Sequence, residues 1–242
     1  MGARVAKGTA TLGRKKSTKN TIKNSTYEQI LERSRILFNR FGAESVSISH
    51  IAESMAISAG NLTYHFKRKR DIVVALLENL NQGFSDVVDN FPLTAKVDEY
   101  VASYASLFSL IWRYRFLFNT TSYLLNQELL TGDEYKKLID DIKAIFLRQT
   151  ITLVDQGHMS PVSAPYTLET LIDCMWWFWV GWLQQANVLA LANQRQVDKP
   201  VIVGTRHFLF LIQPYINKRY FARMLHAVET LELSADERKQ VS

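Results

Sequence analysis

Apolar residues recur every three or four positions along most of this chain, and no convincing run alternates every second residue. From Tyr27 onward, Ile30, Leu31, Leu37, Phe38 and Phe41 fall on one helical stripe. Ser25 with Glu28 three residues later predicts a capping box at the start of this helix, and Gly42 its end. Ser47 caps a second helix, in which Ile48, Ile51, Ala52 and Met55 share one face and Ser49, His50, Glu53 and Ser54 the other. Ser58 caps a third, short helix reaching Phe66. Only Ala56-Ile57-Ser58 separates the second from the third. Two short amphipathic helices joined so tightly predict a helix-turn-helix.

The remainder reads as further helices. Asp71 to Phe91 carries Ile72, Val73, Leu76, Leu77, Leu80, Phe84, Val87 and Val88, and Pro92 stops it. Residues 96–113 carry Tyr100, Tyr104, Phe108 and Trp112 at strict four-residue intervals. Further helices are predicted over 116–130, 134–156, 167–193, 198–216 and 217–231, with turn signals in TGDE near 132 and GHMSPVSAP at 157–165. The fold class is therefore all-α, and the 10 glycines and 5 prolines in 242 residues agree with long helices.

Charge divides the chain. Residues 1–70 hold 14 lysines and arginines against 4 acidic residues, and residues 71–242 hold 15 against 19, so all the excess positive charge lies at the N-terminal end. That is the footprint of a polyanion-binding module joined to a near-neutral body. The predicted organisation is a flexible basic arm over 1–24, a helix-turn-helix DNA-binding domain over 25–70, and a larger helical regulatory and dimerisation domain over 71–242. The charged start is not followed by an apolar stretch, so no secretory signal is expected. The single cysteine, Cys174, fits a reducing cytoplasm and reads as a small core filler. The uncharged run Cys174–Ala192 approaches the length of a membrane span. Gln184, Gln185 and Asn187 lie within it and its tryptophans cluster centrally, so it reads as a buried interface helix.

On the third helix, Leu62 and Phe66 face the first two helices, while Gly60, Asn61, Thr63 and Tyr64 point away. Small and polar groups on a free face suit the major groove. Lys67, Arg68, Lys69 and Arg70 follow directly. The DNA-binding set is Ser47, Ser58, Gly60, Asn61, Thr63, Tyr64, His65, Lys67 and Lys69. Asn61 and Thr63 are the readers of sequence, and His65, Lys67 and Lys69 the phosphate clamps.

The segment SISHIAESMAISAGNLTYHFKRKRDIV resembles the helix-turn-helix of the TetR family of bacterial transcriptional regulators. The resemblance rests on Ile51-Ala52, Ser58, Gly60, Leu62, Tyr64-His65-Phe66 and Lys69, and covers residues 25–75. The chain departs from the family pattern at Ala56, where glycine is frequent, at Thr63, where tyrosine is frequent, and at Arg70, where an acidic residue is common. Ala56 is tolerable with a right-handed backbone, and Arg70 adds charge near the DNA.

The resemblance implies a symmetric dimer that sets two recognition helices in successive major grooves of a palindromic operator. It further implies release of the DNA when a small ligand binds the C-terminal domain, with repression the commoner outcome. In proteins of this kind the last two long helices build a four-helix interface. Here Leu168, Leu171, Ile172, Met175, Trp179, Trp182 and Leu183 would supply one face, and Phe208, Leu209, Leu211 and Ile212 the other. The candidate ligand-binding residues are Tyr104, Phe108, Trp112, Arg115, Trp176 and Trp177, suited to an apolar or aromatic ligand, with Arg113, Asn119 and Thr120 also placed to hold a polar end. A stripe at helical spacing is more often plain core, and that reading stands beside the ligand one.

Neither a metal-binding H-E-x-x-H, a nucleophile elbow, a Walker loop nor a dinucleotide fingerprint occurs. No enzyme, cofactor or metal is expected. The alternatives are a ligand-independent regulator and a non-specific architectural DNA-binding protein, which the basic arm would suit.

Overall fold

The computed structural model describes residues 14–91, 96–192 and 200–240, and among these it is built from helices. In order they are α1 (Arg14–Phe41), α2 (Ile48–Ser54), α3 (Ala59–His65), α4 (Lys69–Asp89), α5 (Val97–Arg113), α6 (Phe116–Asn119), α7 (Thr121–Asn126), α8 (Gly132–Asp155), α9 (Leu168–Ala192), α10 (Pro200–Ile212) and α11 (Lys218–Gln240). A 3-10 turn over Gln213–Tyr215, with Pro214 inside it, separates the last two. None of the described helices is long and apolar enough to cross a membrane.

The first helix is longer than predicted. It is already helical at Arg14, so Ser25 and Glu28 lie within it and do not start it. No glycine or proline interrupts residues 14–41, and nothing there opposes helix propagation. Residues 14–24 of the predicted arm therefore join α1, and residues 1–13 lie outside the described residues. At the other end Gly42 takes φ +80° and its N–H bonds Phe38 O at 3.0 Å, as a glycine C-cap requires.

The predicted helix over 116–130 is broken into α6 and α7. The Thr120 and Thr121 hydroxyls donate back to Phe116 O and Leu117 O at 2.9 and 2.8 Å. Such back-bonding competes with the regular ladder and bends a helix. Glu128, at φ +52°, then closes the segment. Thr131 caps α8, and its capping box with Glu134 is the TGDE signal in structural form.

α5 is the central post of the body, packed by α4, α10 and α11. Its Tyr100, Tyr104 and Phe108 are fully buried. They stack through Phe208 of α10 onto Phe146 of α8, with ring centroids 4.8 Å apart for Tyr104–Phe208 and 5.5 Å for Phe146–Phe208. α4 and α5 approach closely at Gly83, where a β-carbon would sit 2.7 Å from the Leu110 side chain. The loop after α8 is tied to the α10–α11 joint by Ser160 N–H to Tyr215 O (2.8 Å), Asn217 N–H to His158 O (2.9 Å) and a His158–Tyr220 ring stack at 4.1 Å.

Candidate nucleic-acid interface

α2 and α3 are set by their caps. Ser47 Oγ accepts from His50 N–H at 3.2 Å, and His50 Nδ1 accepts in return from Ser47 N–H at 3.4 Å. Ser58 Oγ accepts from Asn61 N–H at 3.1 Å. Between the two helices Ala56 adopts φ +53°, a left-handed turn rather than the right-handed one expected for alanine. The reason is local: Ala56 N–H bonds Glu53 O at 3.0 Å and Ile57 N–H bonds Ala52 O at 3.1 Å, which folds the chain back on itself. Arg33 Nε reaches Ser54 Oγ at 3.0 Å and ties α2 to α1.

Leu62 and Phe66 are buried, and the Phe66 ring stacks on Tyr27 of α1 at 4.7 Å. The opposite side of α3 is open. Gly60, Asn61 and Thr63 are exposed, and Tyr64 is 68% exposed. A β-carbon on Gly60 would meet only Ser58 Oγ, at 3.9 Å, so the space above it is free for another molecule. Thr63 Oγ1 donates to Ala59 O and Gly60 O at 3.0 and 3.2 Å. Its hydroxyl proton is spent inside the helix, which leaves its methyl group as the outward feature, suited to apolar contact with a thymine methyl. His65 is half-buried between Tyr64 and Tyr27.

The four basic residues divide two and two, because α4 starts between them. Lys67 and Arg68 are exposed. Arg68 also pairs with Asp71 at 3.2 Å, its side chain remaining 74% exposed. Lys69 and Arg70 lie in the first turn of α4 and face the body. Lys69 Nζ donates to Ala43 O and, at 3.2 Å, to the Tyr123 hydroxyl of α7. It is therefore tied down in this structure rather than free to clamp phosphate. Arg70 does not add charge near the DNA: it donates to Glu128 O at 2.9 Å and pairs with Glu134 of α8 at 3.0 Å. The Thr131–Glu134 capping box was legible as a helix start, but nothing in the sequence showed that an arginine 64 residues earlier uses the same carboxylate.

A second joint connects α1 to the body. Asn39 Nδ2 donates to Arg113 O at 2.7 Å while its Oδ1 accepts from Phe116 N–H at 3.0 Å. Arg35 and Arg113 share the Glu32 carboxylate at 2.5 and 3.1 Å. The Arg35 hydrogen bond, with Arg113 adding to it against the opposing effect of burial, holds that carboxyl at about 2.

The candidate ligand residues are not one group. Tyr104 and Phe108 are core, and Phe108 packs on Trp179 at 4.2 Å, a partner absent from the predicted set. Trp112 is half-buried between Arg115 (4.6 Å) and Trp182 (5.9 Å). Trp176 is buried against Phe118 at 6.3 Å. Trp177 is 69% exposed and cannot face the stripe, because it lies on the opposite side of α9 from Met175 and Trp179. Arg113 is engaged by Glu32, and Thr120 by its own helix.

The predicted interface needs the same correction. Leu171, Ile172, Met175, Trp179, Leu183, Phe208, Leu209 and Ile212 are buried within the subunit. Cys174, Trp177, Gly181, Gln184 and Val188 form an outward stripe of α9, flanked by the exposed Glu169 and Asp173 of its first turns, and Phe210 of α10 is exposed as well. Cys174 is exposed, not a core filler.

Comparison with known proteins agrees with this geometry. The model of the bacterial regulatory proteins of the tetR family matches residues 30–76, and a TetR model described as a bacterial transcriptional repressor matches residues 77–224. The crystal structure of a TetR-family transcriptional regulator from Marinobacter aquaeolei VT8 superposes with a TM-score of 0.69 and 26% identity, covering 85% of this chain and 98% of that one. FadR from Bacillus subtilis, solved in complex with stearoyl-CoA, shares the fold at a TM-score of 0.51 and 16% identity, covering 77% of this chain and 97% of FadR. The probable HTH-type transcriptional regulator YttP of Bacillus subtilis (strain 168) is 29% identical over 68 residues, so the chain spans about a third (33%) of that relative and 28% of its own length is matched.

Proposed function

The chain belongs to the TetR family of bacterial transcriptional regulators, with a DNA-binding helix-turn-helix, and on that premise we propose that it is a dimeric repressor. In this reading it sits on a palindromic operator in the cytoplasm and leaves it when a small, largely apolar ligand binds the body. The observation that carries the proposal is the outer side of α3. Gly60, Asn61, Thr63 and Tyr64 stand exposed on a helix capped by Ser58 and held down by Leu62 and Phe66.

Each group has a distinct part in this reading. Asn61 pairs with a base edge and the Thr63 methyl meets an apolar base feature. Tyr64, Lys67 and Arg68 bind phosphate oxygens and set the register. Ser47, at the exposed start of α2, adds a backbone contact. Lys69 supports the interface from behind, through Ala43 and Tyr123.

Two copies of α3 must be spaced rigidly to read two half-sites. The outward stripe of α9 around Trp177, together with the exposed Phe210 of α10 (73%), is the surface proposed for that pairing. Large exposed aromatic side chains depleted of charge are the composition of an interface core. The ligand reading is supported by the aromatic post of α5, and FadR, which shares the fold, is solved in complex with stearoyl-CoA. Footprinting of the DNA upstream of its own gene, with wild type and Asn61→Ala/Tyr64→Ala, tests the central claim. Protection that survives both substitutions would remove these residues from the interface.

A further inference from the structure

Five polar residues are buried among the described residues, and four of them are satisfied. Ser34, Thr150 and Thr205 each donate to the carbonyl four residues earlier, at 2.7, 2.9 and 2.8 Å. Asn39 uses both ends of its amide across the α1 joint. Gln149, in α8, is the exception. It is 1% exposed, and neither its Nε2 nor its Oε1 has a partner.

Its surroundings are polar but uncharged. Tyr100 donates to the Gln149 backbone carbonyl at 3.0 Å, and the Tyr100 and Tyr104 hydroxyls lie 3.0 Å apart. With the Tyr100 proton committed to Gln149 O, the Tyr104 proton goes to the Tyr100 oxygen, which leaves the Tyr104 oxygen free to accept. Burial pushes both phenols above their ordinary range, and among the described residues the other groups that bear on their titration are tyrosines, Tyr220 among them. Among the described residues, no lysine, arginine or carboxylate contributes to the shift of either phenol. The Nε1–H of Trp179, whose ring packs on Phe108 at 4.2 Å, is likewise buried and unpartnered.

An unmade buried amide is costly, and a leucine or methionine of similar volume would avoid the cost. A glutamine here is accounted for if its partner comes from outside the chain. Resting on the ligand reading above, we propose that Gln149 is the polar anchor of the ligand site, and that the ligand carries a neutral group with both a donor and an acceptor, an amide being the best match, on an apolar or aromatic frame. Nε2 donates to the ligand carbonyl, and Oε1 or the Tyr104 oxygen accepts from its N–H. A carboxylate or an amine would be desolvated with no counter-charge to meet it. Gln149 is 1% exposed, so the ligand enters by displacing side chains where Tyr100 of α5 meets α8. That displacement moves α5, which packs on α4, the helix that α3 leads into.

The rival anchor for a ligand's polar end is Arg115, which would select an anion. Both of its terminal nitrogens already donate, to Trp112 O at 3.2 Å and Asn39 O at 3.5 Å, and its guanidinium stacks on Trp112. Arg115 is built into the joint, and only its Nε remains unpartnered.

The test uses the full chain and three probes on one frame: 4-phenylbutyramide, 4-phenylbutyrate and butylbenzene. Binding is read by tryptophan fluorescence and by loss of operator binding. Wild type should prefer the amide to the carboxylate and to butylbenzene by about tenfold or more. Gln149→Leu should lose that preference, keep its affinity for butylbenzene, and melt at or above the wild-type temperature without ligand. Preference for the carboxylate, abolished by Arg115→Met, would overturn the proposal in favour of the rival. An amide preference that survives Gln149→Leu would also overturn it. So would butylbenzene binding and releasing the operator with no amide preference, the signature of an internal water alone at Gln149, and here the ligand reading would stand. Failure of all three probes to bind would take the ligand reading down and the anchor with it.

Discussion

Arg70→Ala removes the ion pair that joins the DNA-binding head to α8, together with the bond to Glu128 O. Both side chains of the pair are 28% exposed, and Arg70 Nη2 lies 3.0 and 3.3 Å from the two Glu134 oxygens. An exposed pair contributes about 0.2–1 kcal/mol, and a charge-assisted bond in a drier setting about 1.5–3 kcal/mol. Partial burial and a contact to both oxygens place this coupling at about 1 kcal/mol. Glu134 also accepts from Thr131 N–H at 2.7 Å, so Glu134→Gln weakens the α8 cap as well, by about 0.5–1 kcal/mol. A double-mutant cycle by urea denaturation at pH 7 separates the two effects.

The same cycle has a predictable pH dependence. Burial raises the Glu134 carboxyl, but the Thr131 bonds and Arg70 more than offset this, and it ends below its usual range. A depressed acid stabilises fully above its unfolded value of about 4.3, and that contribution fades as pH falls through the folded value. The coupling should therefore shrink as pH falls below about 4.3 and the depressed carboxyl takes up its proton. In operator binding, Arg70→Ala should leave the slope of log K against log salt unchanged, because its charge is spent on Glu134, whereas Lys67→Ala should reduce its magnitude by about one per subunit, about two for the bound dimer. A coupling below about 0.3 kcal/mol, or a salt slope that falls for Arg70→Ala as it does for Lys67→Ala, would refute this picture of the joint.

Leu62→Ala empties a fully buried site under α3 and should cost about 2–5 kcal/mol by thermal or urea melting. Ala56→Gly relieves the left-handed backbone at φ +53° and should raise stability by up to about 1 kcal/mol, the gain reduced by the greater freedom of glycine when unfolded. Glu32→Gln should destabilise at pH 7 but far less near pH 2, since a carboxyl held at about 2 contributes fully above its unfolded value of about 4.3 and loses that contribution as pH falls through about 2. Its exposure, 45%, limits the effect at pH 7 to about 1 kcal/mol. Trp177→Glu should turn a dimer into a monomer by light scattering without loss of helical circular dichroism, because the side chain is 69% exposed within the subunit.

Much of the fold and of the α3 face was legible because both follow from local rules. A helix forms where apolar residues recur at its own period, and Ser47, Ser58 and Thr131 cap helices through bonds only three residues long. Which residues of α3 face outward follows from the position of Leu62 and Phe66, whatever they pack on. Cys174 and Trp177 were misplaced for a related reason: between Cys174 and Leu183 α9 carries no polar group that marks an outer side, so its period does not say which stripe goes inward.

Contacts between distant segments were not legible. The assignment of Lys69 to Ala43 and Tyr123, of Arg70 to Glu128 and Glu134, and of Asn39 to Arg113 and Phe116 spans 26 to 77 residues. A basic run looks the same in sequence whether it meets solvent or a carboxylate. The left-handed turn at Ala56 and the unpaired amide of Gln149 belong to the same class. By itself the chain determined its helices, its caps and the outward face of α3, because those depend on neighbours a turn away. Tertiary structure decided which charges were spent and which polar group stayed unmet, because those depend on what the completed packing brings opposite.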